Sequence, residues 1–88
     1  MESTRKTLLT NADIRAEYRL GRALAYRLAR LLPHIPVGRT GRGEILLVRR
    51  EDMDRLVSRA AAEKADLLAL SAAHTPESLE AWLNREIK

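Results

Sequence analysis

The stretch from Leu20 to Leu32 must be accommodated as a helix with two very different sides. At about 100° per residue, one side holds only leucine and alanine, whereas the other is rich in arginine. The apolar side consists of Leu24, Ala25, Leu28, Leu31 and Leu32. The basic side consists of Arg22, Ala23, Tyr26, Arg27 and Arg30, with no acidic residue among them. A fold of this chain has to bury the first side and present the second.

The basic side favours contact with a polyanion, because solvated helix faces usually mix both signs of charge for pairing at i and i+4. Arginine and tyrosine on an exposed helix also suit the base edges and phosphates of the DNA major groove. We therefore predict a recognition helix, with an ordinary solvated basic face as the alternative. Tyr26 and Arg27 are expected at base edges, and Arg30 at a phosphate.

Composition indicates one small domain with an acidic partner. Net charge is +4, and residues 1–59 hold 13 Lys and Arg against 7 Asp and Glu, whereas residues 60–88 hold 3 against 5. This asymmetry predicts that the first part binds an acidic polymer and that the tail has another task. The chain has no cysteine, which suits a reducing compartment. Since no long apolar run or leader is present, we expect a cytoplasmic, nucleoid-associated protein that does not bind membranes.

Helix signals surround the basic stretch. Thr10 and Asp13 have the spacing of a capping box, which predicts a first helix from Asn11 to about Tyr18, with Ile14 and Tyr18 as its buried pair. A short link then leads to a glycine that can serve as the N-cap of the basic helix. Two helices joined by about three residues make a helix-turn-helix.

A hairpin is predicted after the basic helix, which Pro33 ends because proline has no amide hydrogen. Apolar residues alternate from residue 35 to 37 and form a β-type run over 44–48, with a glycine-rich turn between. Arg39 and Arg42 lie at the tip of this two-stranded wing. Glycine-flanked arginines fit insertion into a narrow DNA groove, and a solvated loop is the alternative.

The tail is predicted to be helical. Acidic residues follow Arg49 and Arg50, which we interpret as a solvated helix start, and an apolar stripe predicts one helix of about 20 residues to roughly Ala73. A last helix is expected to start with Thr75 as N-cap and Pro76 at its first position. Its apolar face holds Leu79, Trp82, Leu83 and Ile87. These apolar side chains must be buried against another surface. The tail either docks on the rest of the chain or, as we favour, forms a homodimer through the C-terminal helices.

In this order of elements, residues 9–57 resemble the small winged-helix domains of the excisionase family, relatives of the MerR-like DNA-binding domain. The motifs that carry the resemblance are Leu9-Thr10, Tyr26-Arg27-Leu28, Leu32-Pro33-His34-Ile35, Val37-Gly38-Arg39 and Val48-Arg49-Arg50-Glu51-Asp52-Met53. The resemblance implies that the second helix enters the major groove with Arg22, Ala23, Tyr26 and Arg27, and that the wing arginines reach the backbone or the adjacent minor groove. The chain departs from the family at Arg15, Arg19 and Gly21, where the family usually has alanine, glycine and serine.

These observations predict a mainly α fold: a winged helix-turn-helix with a two-stranded β-hairpin wing and a C-terminal helical extension. The expected divisions are a flexible N-terminus over 1–8, the DNA-binding domain over 9–57 and the extension over 58–88. The expected function is sequence-specific binding of double-stranded DNA, as an excisionase-like recombination directionality factor or a small transcriptional regulator. An integrase or other protein is a further possible partner. The alternative is a protein-interaction module such as an antitoxin or adaptor.

No catalytic or metal-binding pattern is visible. His34 and His74 are far apart in the sequence and no acid cluster surrounds either, so both are interpreted as structural. The serines have no neighbouring histidine to activate them, and no glycine-rich phosphate loop opens a helix. We therefore expect neither enzymatic activity nor a cofactor.

Overall fold

The structure, a computed structural model, describes residues 7–39 and 42–85, with only the backbone at residues 39 and 42–44. The described chain is mainly helical with a small antiparallel sheet, which confirms the predicted class. Its elements are β1 (Leu8–Leu9), α1 (Asn11–Tyr18), α2 (Arg22–Leu31), β2 (His34–Arg39), β3 (Arg42–Arg49), α3 (Arg50–Glu63), α4 (Leu67–Ala73) and α5 (Pro76–Asn84).

The sheet has three strands rather than the two that we predicted. Its order is β1-β3-β2, and the predicted hairpin is present as β2 and β3, with Val37 opposite Ile45. The third strand arises because Leu9 pairs with Val48, and Arg50 N donates to Thr7 O at 2.8 Å just beyond it. Residues 7–9 are thereby joined to the wing.

The predicted first helix and its cap are confirmed. Thr10 Oγ1 accepts a hydrogen bond from Asp13 N at 3.2 Å, and Asp13 Oδ2 accepts one from Thr10 N at 3.0 Å. The helix ends at Arg19, whose backbone is left-handed with φ 58°. Gly21 is the N-cap of α2, as expected. The two helices are therefore joined by a turn of three residues.

One apolar core holds the described elements together. The predicted apolar side of α2 is buried at Ala25, Leu28 and Leu32. Of the predicted buried pair of α1, Ile14 is fully covered, whereas Tyr18 is only partly buried against the core. The remaining core residues come from α2 (Ala29), the sheet, α3 and the tail, and the last three contribute Leu9, Leu46, Val48, Met53, Leu56, Ala60, Leu70, Leu79 and Trp82. Burial of α2 on this side leaves its basic side to solvent.

The prediction of one long helix to Ala73 is wrong. Helix α3 ends at Glu63, because Lys64 adopts a left-handed conformation with φ 54° and its amide bonds back to the carbonyls of the last turn. Asp66 then caps α4, its Oδ1 accepting from Leu68 N at 2.8 Å. The break turns α4 back onto α2, so that Leu70 joins the core.

The C-terminal helices dock on the same chain. Thr75 caps α5 and Pro76 takes its first position, as predicted. Leu79 is fully buried and Trp82 is 9% exposed, both in contact with the common core, while Ile87 lies outside the described residues. The apolar surplus of the tail is thus largely covered within one chain. The homodimer stays a prediction with a smaller apolar surface to support it.

Candidate nucleic-acid interface

The basic side of α2 lies on the surface of the molecule. Each of its predicted contact residues is exposed: Arg22, Ala23, Tyr26, Arg27 and Arg30. They are directed outward because the residues between them, Ala25, Leu28 and Ala29, are buried against the core. The structure therefore brings together the five α2 residues singled out from the sequence.

No acidic side chain of the described residues is paired with an arginine of this face. Within the described part of the chain, Arg22 and Arg27 have neither an ion pair nor a side-chain hydrogen bond. Arg30 Nη1 donates to the hydroxyl oxygen of Tyr26 at 3.3 Å, and its guanidinium carbon lies 5.8 Å from the centre of the Tyr26 ring. Tyr26 is 41% exposed. Its hydroxyl hydrogen is thus free to donate to a base or phosphate while Arg30 holds the ring.

The arginines of α3 behave differently. Arg49 at the N-cap donates from Nε and Nη2 to Asp52 at 2.8 and 3.1 Å, and this hydrogen bonding raises the pKa of Arg49. Arg50 donates to both carboxylate oxygens of Glu17 at 2.5 and 2.9 Å. Both residues stand at the start of α3, as we predicted, and the side chain of Arg49 is 55% exposed. The side chain of Arg50 is only 13% exposed, so the expectation of a solvated residue is wrong there. The positive charge of both arginines is locally compensated, unlike that of α2.

The arginine near the end of α3 is bonded in the same way. Arg59 is buried, and its Nε donates to Glu63 at 2.6 Å while its Nη1 donates to the backbone oxygen of Arg85 at 2.6 Å. The hydrogen bond from Arg59 lowers the pKa of Glu63. The guanidinium also stacks 5.0 Å from the ring centre of Trp82. This arginine joins α3 to α5 and is not available to a ligand.

The wing arginines are described by their backbone alone. Arg39 and Arg42 face each other where β2 and β3 meet the turn, and the register shifts between Val37 and Arg39 at Gly38, which has φ 99°. Glycine tolerates this conformation because it has no Cβ. The predicted contacts of the two arginine side chains lie outside the described residues.

A groove that the sequence did not reveal runs between α2 and the hairpin. It encloses about 320 Å³, and its lining is mainly apolar. The lining residues are Thr10, Asn11, Ala12, Tyr26, Ala29, Ile45 and Leu46. They come from three elements, so no local pattern could have indicated them. Apolar contact of this kind suits a thymine methyl group or a deoxyribose.

The outer face of the hairpin is also apolar and exposed. Ile35 and Val37 of β2 are 51% and 44% exposed, and Ile45 of β3 is 45% exposed. The register places Val37 opposite Ile45, so these side chains share one face of the sheet. Large apolar residues grouped on a surface are often an interaction site.

The histidines contact nearby polar atoms. His34 Nδ1 lies 2.8 Å from the carbonyl oxygen of Leu32, and His74 Nδ1 lies 2.9 Å from Ser78 Oγ. Over residues 7–39 and 42–85, no group of three His, Cys, Asp or Glu side chains is placed to hold a metal ion. In the same part of the chain, no helix has the length and apolar character needed to cross a membrane.

Comparisons of the chain with protein-family models, with curated proteins and with solved structures found no match. The geometry and charge of the chain's own residues are therefore what indicates its function.

Proposed function

We propose that this chain binds double-stranded DNA as a winged helix-turn-helix protein, with α2 in the major groove and the β2–β3 hairpin as the wing. The observation that carries the proposal is the basic side of α2. It is exposed along its length, and within the described residues no carboxylate compensates Arg22 or Arg27. Unpaired cations on an exposed helix are what a phosphate-lined groove attracts, since binding releases the counterions of the DNA.

Each residue of the face has a distinct proposed role. Arg27 and Tyr26, in the middle of α2, read base edges, for which arginine prefers the O6 and N7 acceptors of guanine. Arg22 and Arg30, nearer the two ends of α2, contact phosphates. Ala23 is small enough to let the backbone approach the groove floor.

The wing completes the proposed contact. Arg39 and Arg42 are proposed to reach the backbone or the minor groove next to the groove that α2 occupies. Their backbone position at the end of the hairpin supports this role. We propose no catalysis and no cofactor.

Two biological roles use this binding, and both are proposals. An excisionase-like directionality factor would bend or coat its site and contact an integrase, whereas a transcriptional regulator would occupy an operator. A homodimer through the C-terminal helices would place two copies of α2 on half-sites about one DNA turn apart. An integrase gene beside this one would favour the first role.

The direct test is selection of bound sequences from a pool of random duplexes, followed by titration of the enriched duplex and a scrambled duplex at several salt concentrations. The proposal predicts an enriched motif, tighter binding to that duplex and affinity that falls with salt for both. A pool that yields no motif, together with equal affinities for the two duplexes, would contradict specific binding.

A protein-interaction module is the second candidate, and the exposed apolar residues of the hairpin support it. Ile35, Val37 and Ile45 would bind an apolar surface of another protein rather than a nucleic acid. This candidate predicts a complex that survives high salt, because apolar contacts are not screened by ions. Substituting Ile35 and Val37 with serine would weaken such a complex and leave DNA binding intact.

A further inference from the structure

Three arginines surround the turn between α1 and α2, and two of them were not among the predicted contact residues. Arg15 lies in the last turn of α1, Arg19 ends that helix and Arg22 begins α2. All three are exposed, and none has a side-chain partner among the residues that the structure describes. This contrasts with Arg49, Arg50 and Arg59 of α3 and its N-cap, each of which is bonded to a carboxylate.

The position of Arg15 follows from the groove between α2 and the hairpin. Asn11 and Ala12 line that groove together with Tyr26, so this side of α1 faces the exposed side of α2. Arg15 follows Asn11 by four residues and Ala12 by three, which places it on the same side of α1, one turn nearer to α2 along the chain. Arg15 therefore borders the basic side of α2.

The acidic residues of α1 do not compensate these arginines. Glu17 is two residues from Arg15, about 200° around the helix, and its carboxylate is bonded to Arg50 of α3. Asp13 is bonded to the amide and hydroxyl of Thr10 in the cap. Among the described residues, neither carboxylate of α1 is therefore paired with Arg15, Arg19 or Arg22.

Arg19 adds an independent observation. It occupies a left-handed backbone conformation with φ 58°, where glycine is the usual residue because a Cβ is unfavourable there. Arg19 is exposed and has no side-chain hydrogen bond or ion pair within the described residues. A ligand bound by the guanidinium of Arg19 would explain why arginine rather than glycine occupies this position.

We propose that Arg15 and Arg19 each bind a backbone phosphate of the DNA strand that flanks the groove occupied by α2. The ligand is the phosphodiester itself, without regard to base sequence, so these contacts extend the interface from α2 to the end of α1. This inference rests on the proposed DNA binding and adds two phosphate contacts to it.

The test compares Arg19→Gly with Lys64→Gly. Both residues end a helix in a left-handed conformation, with φ 58° and 54°. Both substitutions remove one positive charge. Both also remove a Cβ that is unfavourable in this conformation, so neither is expected to unfold the chain. We expect the slope of log affinity against log salt to flatten by about 0.9 in Arg19→Gly and to be unchanged in Lys64→Gly. Arg15→Gln should flatten the slope by a similar amount. Both arginine variants should weaken the selected and the scrambled duplex alike.

The outcomes separate this inference from the proposed function. An unchanged slope in Arg19→Gly or in Arg15→Gln overturns the phosphate contact of that arginine, and a loss confined to the selected duplex also contradicts it. Equal flattening in Lys64→Gly would mean that total charge, not position, is responsible. If the unmodified chain binds no duplex, the proposed function itself fails.

Discussion

The hydroxyl of Tyr18 donates a 2.5 Å hydrogen bond to Oδ1 of Asp54, and this bond joins the end of α1 to α3. Beside it, Arg50 of α3 holds Glu17 of α1 through both carboxylate oxygens. These contacts fix α1 on α3, and α1 in turn is joined to α2 by only three residues. The position of the turn from which α2 begins is thus supported by polar contacts between α1 and α3.

Tyr18→Phe should lower the free energy of unfolding by about 1–2 kcal/mol, since it removes a hydrogen bond to a carboxylate in a partly buried position. Tyr26→Phe is the matched control, because Tyr26 is exposed and its hydroxyl contacts only Arg30 among the described residues. Urea unfolding followed by circular dichroism measures both. Equal stability of the two variants would show that the Tyr18 bond is not stabilising.

Ionisation of Tyr18 should also lower the stability of the fold at alkaline pH. Burial, followed by the hydrogen bond to Asp54, raises the pKa of Tyr18 from 10.0 to about 12. The folded state therefore favours the neutral phenol of Tyr18. The contribution of Tyr18 to the free energy of unfolding is complete below pH 10 and is lost as pH rises through about 12. Ultraviolet titration of the Tyr26→Phe variant, in which Tyr18 is the only tyrosine, measures this pKa. A transition near 10 would contradict the account.

Arg19→Gly and Lys64→Gly should each stabilise the fold by about 1 kcal/mol, because both relieve a Cβ in a left-handed conformation. Arg15→Gly provides the opposite control. It lies inside α1, where glycine should cost about 1 kcal/mol relative to a good helix former. Chemical unfolding measures whether each substitution raises or lowers the free energy of unfolding. Stabilisation by Arg15→Gly would contradict the helical conformation of Arg15, and destabilisation by Arg19→Gly would contradict the left-handed conformation of Arg19.

The docked tail makes a further prediction. Leu79 of α5 is fully buried, so Leu79→Ala should cost about 2–5 kcal/mol. Leu68 of α4 is 55% exposed, and Leu68→Ala should change stability by no more than about 0.5 kcal/mol. The fluorescence of Trp82, the only tryptophan, reports whether α5 leaves the core. A tail that is not docked on its own chain would make the two variants equally stable.

Local signals predicted the elements that depend on neighbouring residues. The capping box at Thr10 marked the start of α1, Gly21 marked the start of α2, and Thr75 with Pro76 marked the start of α5. The burial of Leu28 and the exposure of Arg27 followed from helical periodicity. These features are set within one or two turns of chain, which is why the sequence alone indicates them.

Features that depend on distant residues were missed. Leu8 and Leu9 are too few to show an alternating pattern, and they form a strand only because Val48 lies beside them in the fold. The break at Lys64 occurs among good helix formers and without glycine or proline, since the docking of α4 on α2 outweighs local preference. Asp66, a suitable N-cap, was the available signal. The pairing of Arg50 with Glu17 spans 33 positions and has no local signature.

The most direct test of the central claim is the affinity of Arg27→Ala for the selected duplex. Arg27 is exposed in the middle of α2 without a described partner, so its loss should cost about 1–3 kcal/mol on that duplex, with an intact fold. Arg85→Ala is the matched control, because it removes an exposed arginine just after α5, where the backbone is bonded to Arg59 of α3. A titration in which Arg27→Ala binds the selected duplex as tightly as Arg85→Ala would contradict the assignment of α2 to the major groove.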